Sequence, residues 1–246
     1  MGDLDDAKSM KWFYEFELPD GSKTSTNYPD EILKIHTSRR DALRRVLAAH
    51  VQDPRDLTAA DIASHEGYFT FEMATHFANV TGYEFRVESI ENAKLMGRIL
   101  QLNNVSFEQF DIQNTQNNYI AQKDFVLLYG LMYHLENPIK SLRVACAMAR
   151  KHILIDTQIF PYDLFGRIED SSYMHQRQVE GIFALTADYA NHREGGSTDF
   201  ALVPSLNSLI HLLKYFGFRT VEIVEPKEDY YEQFLRKNRV IIYACR

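Results

Sequence analysis

Leu57–Phe85, LTAADIASHEGYFTFEMATHFANVTGYEF, is the stretch that decides the fold. A run suited to a buried strand ends at Asp61. A tight turn then carries Ala63, Ser64, His65, Glu66 and Gly67, and a helix-length segment leads to a second strand closing on Glu84. This is a β-turn-α-β unit with an acid at the end of its second strand. Backbone N–H groups at such a turn and helix start meet the polar end of a ligand, and a carboxylate about 20 residues on accepts the hydroxyls of a ribose. The turn is poor in glycine: Gly67 stands alone, with the small residues Ala63 and Ser64 before it. A pyrophosphate dinucleotide needs closer backbone approach than that, which argues against NAD.

Downstream, Ser89–Leu102 places Ile90, Ala93, Leu95, Met96 and Ile99 at helical spacing, with Ser89 as N-cap. Val105–Ile112 alternates as a third strand ending at Phe110, Asp111 and Ile112. Asp124–Tyr129 is a continuous apolar run of the kind buried on both faces of a parallel sheet. Pro138 opens a helix to about Arg150, and His152–Asp156 reads as a fifth strand. From Thr157 to Pro204 the periodicity is lost, the pattern of a lid or binding element. Ser205–Phe216 is a helix, and Arg219–Glu225 and Arg239–Cys245 are two late strands with no obvious helix between them. Strand-helix alternation followed by such a pair predicts an α/β, Rossmann-like, seven-stranded, mainly parallel sheet with an antiparallel edge hairpin.

Upstream, residues 1–10 are acidic and polar and are expected to be disordered. Lys11–Thr26, with Pro19-Asp20-Gly21 as its turn, reads as a β-hairpin whose apolar side carries Trp12 and Tyr14. Thr37 or Ser38 caps a helix through Val51, with Leu43, Val46 and Leu47 on one face and Arg39, Arg40, Arg44 and Arg45 on a solvated one. Residues 11–52 are therefore expected to cover the site, and 53–246 to form the main domain with a lid insertion at 157–204.

Composition narrows the function. At 246 residues and 45% apolar, the chain can bury one large core. Its net charge of −7 and pI near 5.7 oppose a broad nucleic-acid footprint, which needs clustered cations, though not a local basic patch. Two cysteines, Cys146 and Cys245, without metal-ligand spacing predict a reducing compartment, no disulfide framework and no metal. The polar start MGDLDDAKSM is not a signal peptide and no apolar run reaches the roughly 20 residues of a membrane span. A cytoplasmic protein is expected.

In an open α/β sheet ligands gather at the carboxyl ends of the strands, where Asp61 with its turn, Glu84, Asp111 and the run Tyr129–His134 converge. These residues carry a resemblance. DIASHEGYFTFEMA followed by GYEFR resembles the first two signatures of class I S-adenosylmethionine-dependent methyltransferases, whose loop is usually D/E-x-G-x-G-x-G. Phe110-Asp111-Ile112 resembles the third and LLYGLMYHLENP the fourth. That last motif, with LPDG and LVPSLNSLIHLLKYFGF, is similar to the subgroup around the tRNA wobble-uridine oxyacetate methyltransferases and their small-molecule relatives. The loop departs from the pattern, Ala63 standing for the first glycine and His65 for the second.

The resemblance implies S-adenosylmethionine as cofactor. Asp61, Ala63, Ser64, His65 and Gly67 would hold its amino-acid end, Glu84 its ribose, Asp111 and Ile112 its adenine, with Tyr129 near the sulfonium. His134 is the candidate base on the substrate side. In the lid, His192 is a second, with Asp199 as a partner that could orient it. Trp12, Tyr14, Tyr133 and His175 are candidate walls for a small-molecule acceptor. A tRNA acceptor and a non-catalytic nucleoside-binding protein on the same fold are the alternatives.

Overall fold

The computed structural model describes residues 2–114, 121–168, 177–187 and 199–246. The central sheet has seven strands: β1 (Thr58–Ile62), β2 (Asn79–Glu84), β3 (Val105–Gln109), β4 (Lys123–Tyr129), β5 (Ala149–Gln158), β6 (Thr220–Ile223) and β7 (Arg239–Cys245). Their spatial order is β6-β7-β5-β4-β1-β2-β3. The first five strands are parallel, and β7 pairs antiparallel with both β5 and β6. The fold is the expected one.

Strand alternation divides the core in two. Phe125, Leu127 and Tyr129 of β4 face one apolar cluster, Val126 and Leu128 the other. The first is closed by α1 (Asp3–Ser9), α2 (Asp30–His50), α3 (Tyr68–Ala74) and α4 (Val87–Ile99), the second by α5 (Pro138–Met148) and α6 (Leu206–Tyr215). A four-residue helix, α7 (Glu232–Leu235), interrupts the β6–β7 connection, where no helix was expected.

The amino-terminal region departs furthest from its sequence reading. Residues 3–9 are not disordered: they form α1, with Ala7 fully buried and Asp3 paired to Arg98 on α4. The acids sit in the first turn, where they favour a helix. The Pro19-Asp20-Gly21 turn is present, with Gly21 at φ 81, but its antiparallel ladder is reduced to the bridge Glu17–Lys23, and Lys11–Trp12 pairs in parallel with Ser25–Thr26. The next helix begins at Asp30 rather than at Thr37 or Ser38. Ser38 sits inside it, donating to the Lys34 carbonyl at 2.8 Å and accepting from the Tyr231 amide at 2.9 Å. Similarly, α4 starts at Val87, and Ser89 is a buried residue within it. Among the described residues, the insertion after β5 contains two small antiparallel ribbons, Phe165–Ile168 with Arg177–Glu180 and Phe183–Ala187 with Phe200–Pro204.

Candidate active site

The turn after β1 has an alternating backbone. Ala63, His65 and Gly67 lie at φ 60, 50 and 85, all left-handed. The glycine-poor turn thus adopts the conformation that glycines would permit, at a cost of roughly 1–2 kcal/mol for each residue bearing a Cβ. The neighbouring strand β2 holds it. The amides of Ala63 and Ser64 donate to the Tyr83 carbonyl at 2.8 and 3.1 Å, and the His65 amide to Glu84 Oε2 at 2.9 Å. A second feature favours glycine at residue 67: a Cβ there would stand 2.9 Å from both Phe107 Cζ and Phe71 Cζ.

Glu84, 6% exposed, faces this turn from β2. Its carboxylate also accepts from the amides of Phe85 and Arg86, both at 2.9 Å. Three N–H bonds leave a carboxylate with further acceptor capacity, so the group fits a ribose hydroxyl. Asp61 is buried beneath the turn and accepts from the Thr70 hydroxyl at 2.7 Å. Burial pushes its carboxyl up to about 7, with the Glu84 charge adding to the rise and the Thr70 bond opposing it. Asp111 folds its own loop, taking the amides of Gln113 and Asn114 on Oδ1, while Ile112 is buried in the apolar cluster that includes Tyr83 and Leu128.

Beyond β4, Gly130 turns the chain at φ 72 into a short helical turn, Met132–His134. The Leu202 amide of the insertion donates to the Leu135 carbonyl at 3.0 Å, which sets the insertion against the turn carrying Tyr133 and His134. Tyr129 is buried and donates to the Arg39 carbonyl at 3.3 Å; burial holds its phenol well above the usual range. Tyr14 is also buried, its ring stacked on Tyr68 at 4.8 Å. Trp12 does not line the site: it is 1% exposed in the core, and its indole N–H donates to the Ala7 carbonyl at 2.8 Å. His175 and His192 lie outside the described residues. A cavity of about 340 Å³ between the amino-terminal hairpin, α2 and α3 contains none of the expected site residues.

Three residues at these strand ends were missed. Asp156 on β5 is fully buried and takes Arg39 Nε at 2.9 Å and Arg239 Nη1 at 2.7 Å, both on Oδ2, while Oδ1 has no protein partner. Arg39 is therefore not part of a solvated face: it is 5% exposed, and it lies close enough to Gly130 that a Cβ there would meet Nη2 at 2.7 Å. Arg239 lies over the Tyr133 ring, 4.7 Å from its centroid. The available signal was Asp156 closing the apolar run HILID, the same strand-end acid that singled out Glu84.

A family model described as a methyltransferase domain matches residues 54–231, most of the chain. The chain belongs to the class I S-adenosylmethionine-dependent methyltransferases. S-adenosylmethionine is accordingly the cofactor, and the turn, Glu84 and Asp61 are chemically suited to it. Among curated proteins, this methyltransferase is 24% identical over 183 residues to a tRNA U34 carboxymethyltransferase of Campylobacter fetus, covering 73% of this chain and 57% of the relative. It is 30% identical over 118 residues to the Trichodesmium erythraeum protein of the same name, covering 47% and 36%. The chain thus spans between about a third and three-fifths of the length of these relatives.

Among solved structures, the amino-terminal domain of EvdMO1 with S-adenosylhomocysteine and D-fucose superposes with a TM-score of 0.69 at 18% identity, over 95% of this chain and 91% of that one. Magnesium protoporphyrin IX methyltransferase from Synechocystis PCC 6803 superposes with a TM-score of 0.59 at 14% identity, over 88% and 86%. At these identities the likeness is one of fold. Among the described residues no helix is long and apolar enough to cross a membrane, and no three His, Cys, Asp or Glu residues are grouped as a metal site.

Proposed function

We propose that this methyltransferase alkylates an oxygen or nitrogen atom of a small-molecule acceptor. The observation that carries the reading is the Asp61–Gly67 turn, left-handed at residues 63, 65 and 67, facing the Glu84 carboxylate. Bound S-adenosylmethionine supplies a carbon already activated by the sulfonium, so the protein's work is alignment and exclusion of water. The turn with Asp61 holds the amino-acid end, Glu84 the ribose, and Asp111 and Ile112 border the adenine. Tyr129 stands on the sulfonium side, with Tyr14 and Tyr133 as walls toward the acceptor. Orientation of this kind is worth about 7–11 kcal/mol. For a hydroxyl acceptor, His134 as base adds roughly 10²- to 10⁴-fold; an ionised oxygen or neutral amine needs none. His192 and His175 remain candidates for the base and the acceptor wall. Release of S-adenosylhomocysteine from methyl-labelled cofactor with a pool of small-molecule acceptors tests the proposal. Cofactor binding without turnover of any acceptor would favour a non-catalytic binder.

One observation favours a second reading, carboxymethyl transfer, the activity in the names of the curated relatives. Arg39 and Arg239 share the single carboxylate of Asp156, leaving one excess positive charge buried beside Tyr133. Such a charge suits a carboxylate on the transferred group or on the acceptor. The mass added to the product separates methyl from carboxymethyl. The net charge of −7 weighs against tRNA as acceptor, and tRNA binding that is absent or insensitive to salt would exclude it.

A further inference from the structure

The middle of the cofactor turn carries a carboxylate that does not face the ligand. Glu66 is 2% exposed, and its Oε2 accepts the Phe13 amide at 2.8 Å and the Tyr14 amide at 3.4 Å, more than 50 residues away in the chain. The left-handed residues on either side, His65 and Gly67, turn it inward, and Ser64, between Ala63 and His65, is buried likewise. Rings reinforce the attachment at both ends of the turn. Phe13 lies 4.7 Å from His65, and Tyr14 stacks on Tyr68, the first residue after the turn. The segment that supplies these groups is itself anchored, with Trp12 and Phe16 in the core.

We propose that Glu66 is a positioning residue: it ties residues 11–16 to the cofactor turn and holds the turn in its ligand-binding conformation, although Ala63 and His65 stand where glycines would cost less. Without that tie the two strained residues relax toward right-handed or extended backbone, and the turn loses the shape against which the ligand binds. A carboxylate accepting backbone N–H bonds makes a charge-assisted contact stronger than a neutral one, which suits a part that must oppose strain. This inference rests on the cofactor assignment and adds a residue that does not touch the cofactor.

The test compares wild type, Glu66→Ala and Glu66→Gln by titration calorimetry with S-adenosylhomocysteine, with hydrogen exchange on the wild type. Glu66→Ala is expected to weaken binding by about tenfold or more while still unfolding cooperatively above the assay temperature. Glu66→Gln, whose amide oxygen still accepts both N–H bonds but without the charge, is expected to fall between Glu66→Ala and wild type. In the wild type, ligand is expected to slow exchange of the Phe13 and Tyr14 amides together with that of residues 61–67. Unaltered binding by Glu66→Ala overturns the inference alone, as does ligand protection confined to residues 61–67, a result that requires no variant to fold. A wild type that binds no S-adenosylhomocysteine overturns the cofactor assignment and this inference with it.

Discussion

Arg39 on α2 and Asp156 on β5 stand 117 residues apart in the chain and form a buried ion pair, guanidinium Nε 2.9 Å from carboxylate Oδ2. Because Arg239 shares that oxygen at 2.7 Å, the two partners are not equivalent. Removing Asp156 leaves two buried guanidinium groups facing each other, whereas removing Arg39 leaves a balanced Arg239–Asp156 pair. The cluster also fastens α2, and so the amino-terminal region, over the carboxyl ends of β4 and β5.

Asp156→Asn is therefore expected to destabilise by about 3–5 kcal/mol, the cost of stranding a buried charge. Arg39→Met is expected to cost less, about 1.5–3 kcal/mol for its hydrogen bonds to a charged group. Urea unfolding of the two variants decides it, and equal losses would show that charge balance is not what the cluster provides.

Glu84→Ala removes the carboxylate that holds the His65 amide and that we propose receives the ribose. Losing one hydrogen bond to a charged group costs about 1.5–3 kcal/mol, which converts to roughly 10- to 150-fold weaker S-adenosylhomocysteine binding. Calorimetry reads this directly, and undiminished affinity would remove Glu84 from the site.

The sheet was legible because its signals are local. The strand-end acids Asp61 and Glu84, the apolar run Asp124–Tyr129 and the late pair β6 and β7 follow from period and burial alone. What escaped depends on contacts across the fold. Arg39 shares a stretch with three other arginines, and only the β5 carboxylate, 117 residues away in the chain, makes it the buried one. Trp12 looked like a ligand wall because a hairpin's apolar side must cover something, and what it covers is α1, a helix that composition concealed. Glu66 has no role legible in the sequence, since nothing near it in the chain announces the Phe13 amide.

Ala63→Gly relieves a left-handed Cβ worth about 1–2 kcal/mol and loses about 0.5–1 kcal/mol to unfolded-state entropy. A small net gain of stability is expected, seen as a raised thermal midpoint. Gly67→Ala should act in the opposite direction, at about 1–3 kcal/mol, because φ 85 and the contacts with Phe107 and Phe71 both oppose a Cβ. If both variants shifted stability in the same direction, the left-handed turn would not be the source of strain.

Asp61 links the site to pH. Its carboxyl is pushed up to about 7 by burial, against about 3.9 in an unfolded chain. Between those values the folded protein keeps a proton that the unfolded chain has released, so the stability it contributes is complete below about pH 4 and is lost as pH rises through about 7. The full difference is on the order of 4 kcal/mol. Asp61→Asn keeps an acceptor for the Thr70 hydroxyl and has nothing to ionise, so it should flatten the fall in stability between about pH 4 and 7 and exceed wild type above it. Binding should move the other way: if the cofactor's ammonium lies against Asp61, it favours the ionised carboxylate, and affinity rises from about pH 6 to 8 in wild type alone. Unfolding and calorimetric titrations across that range, on both proteins, measure the two slopes. A wild-type stability that does not fall over this interval would mean that Asp61 is ionised in the folded protein and that the turn is not holding it neutral.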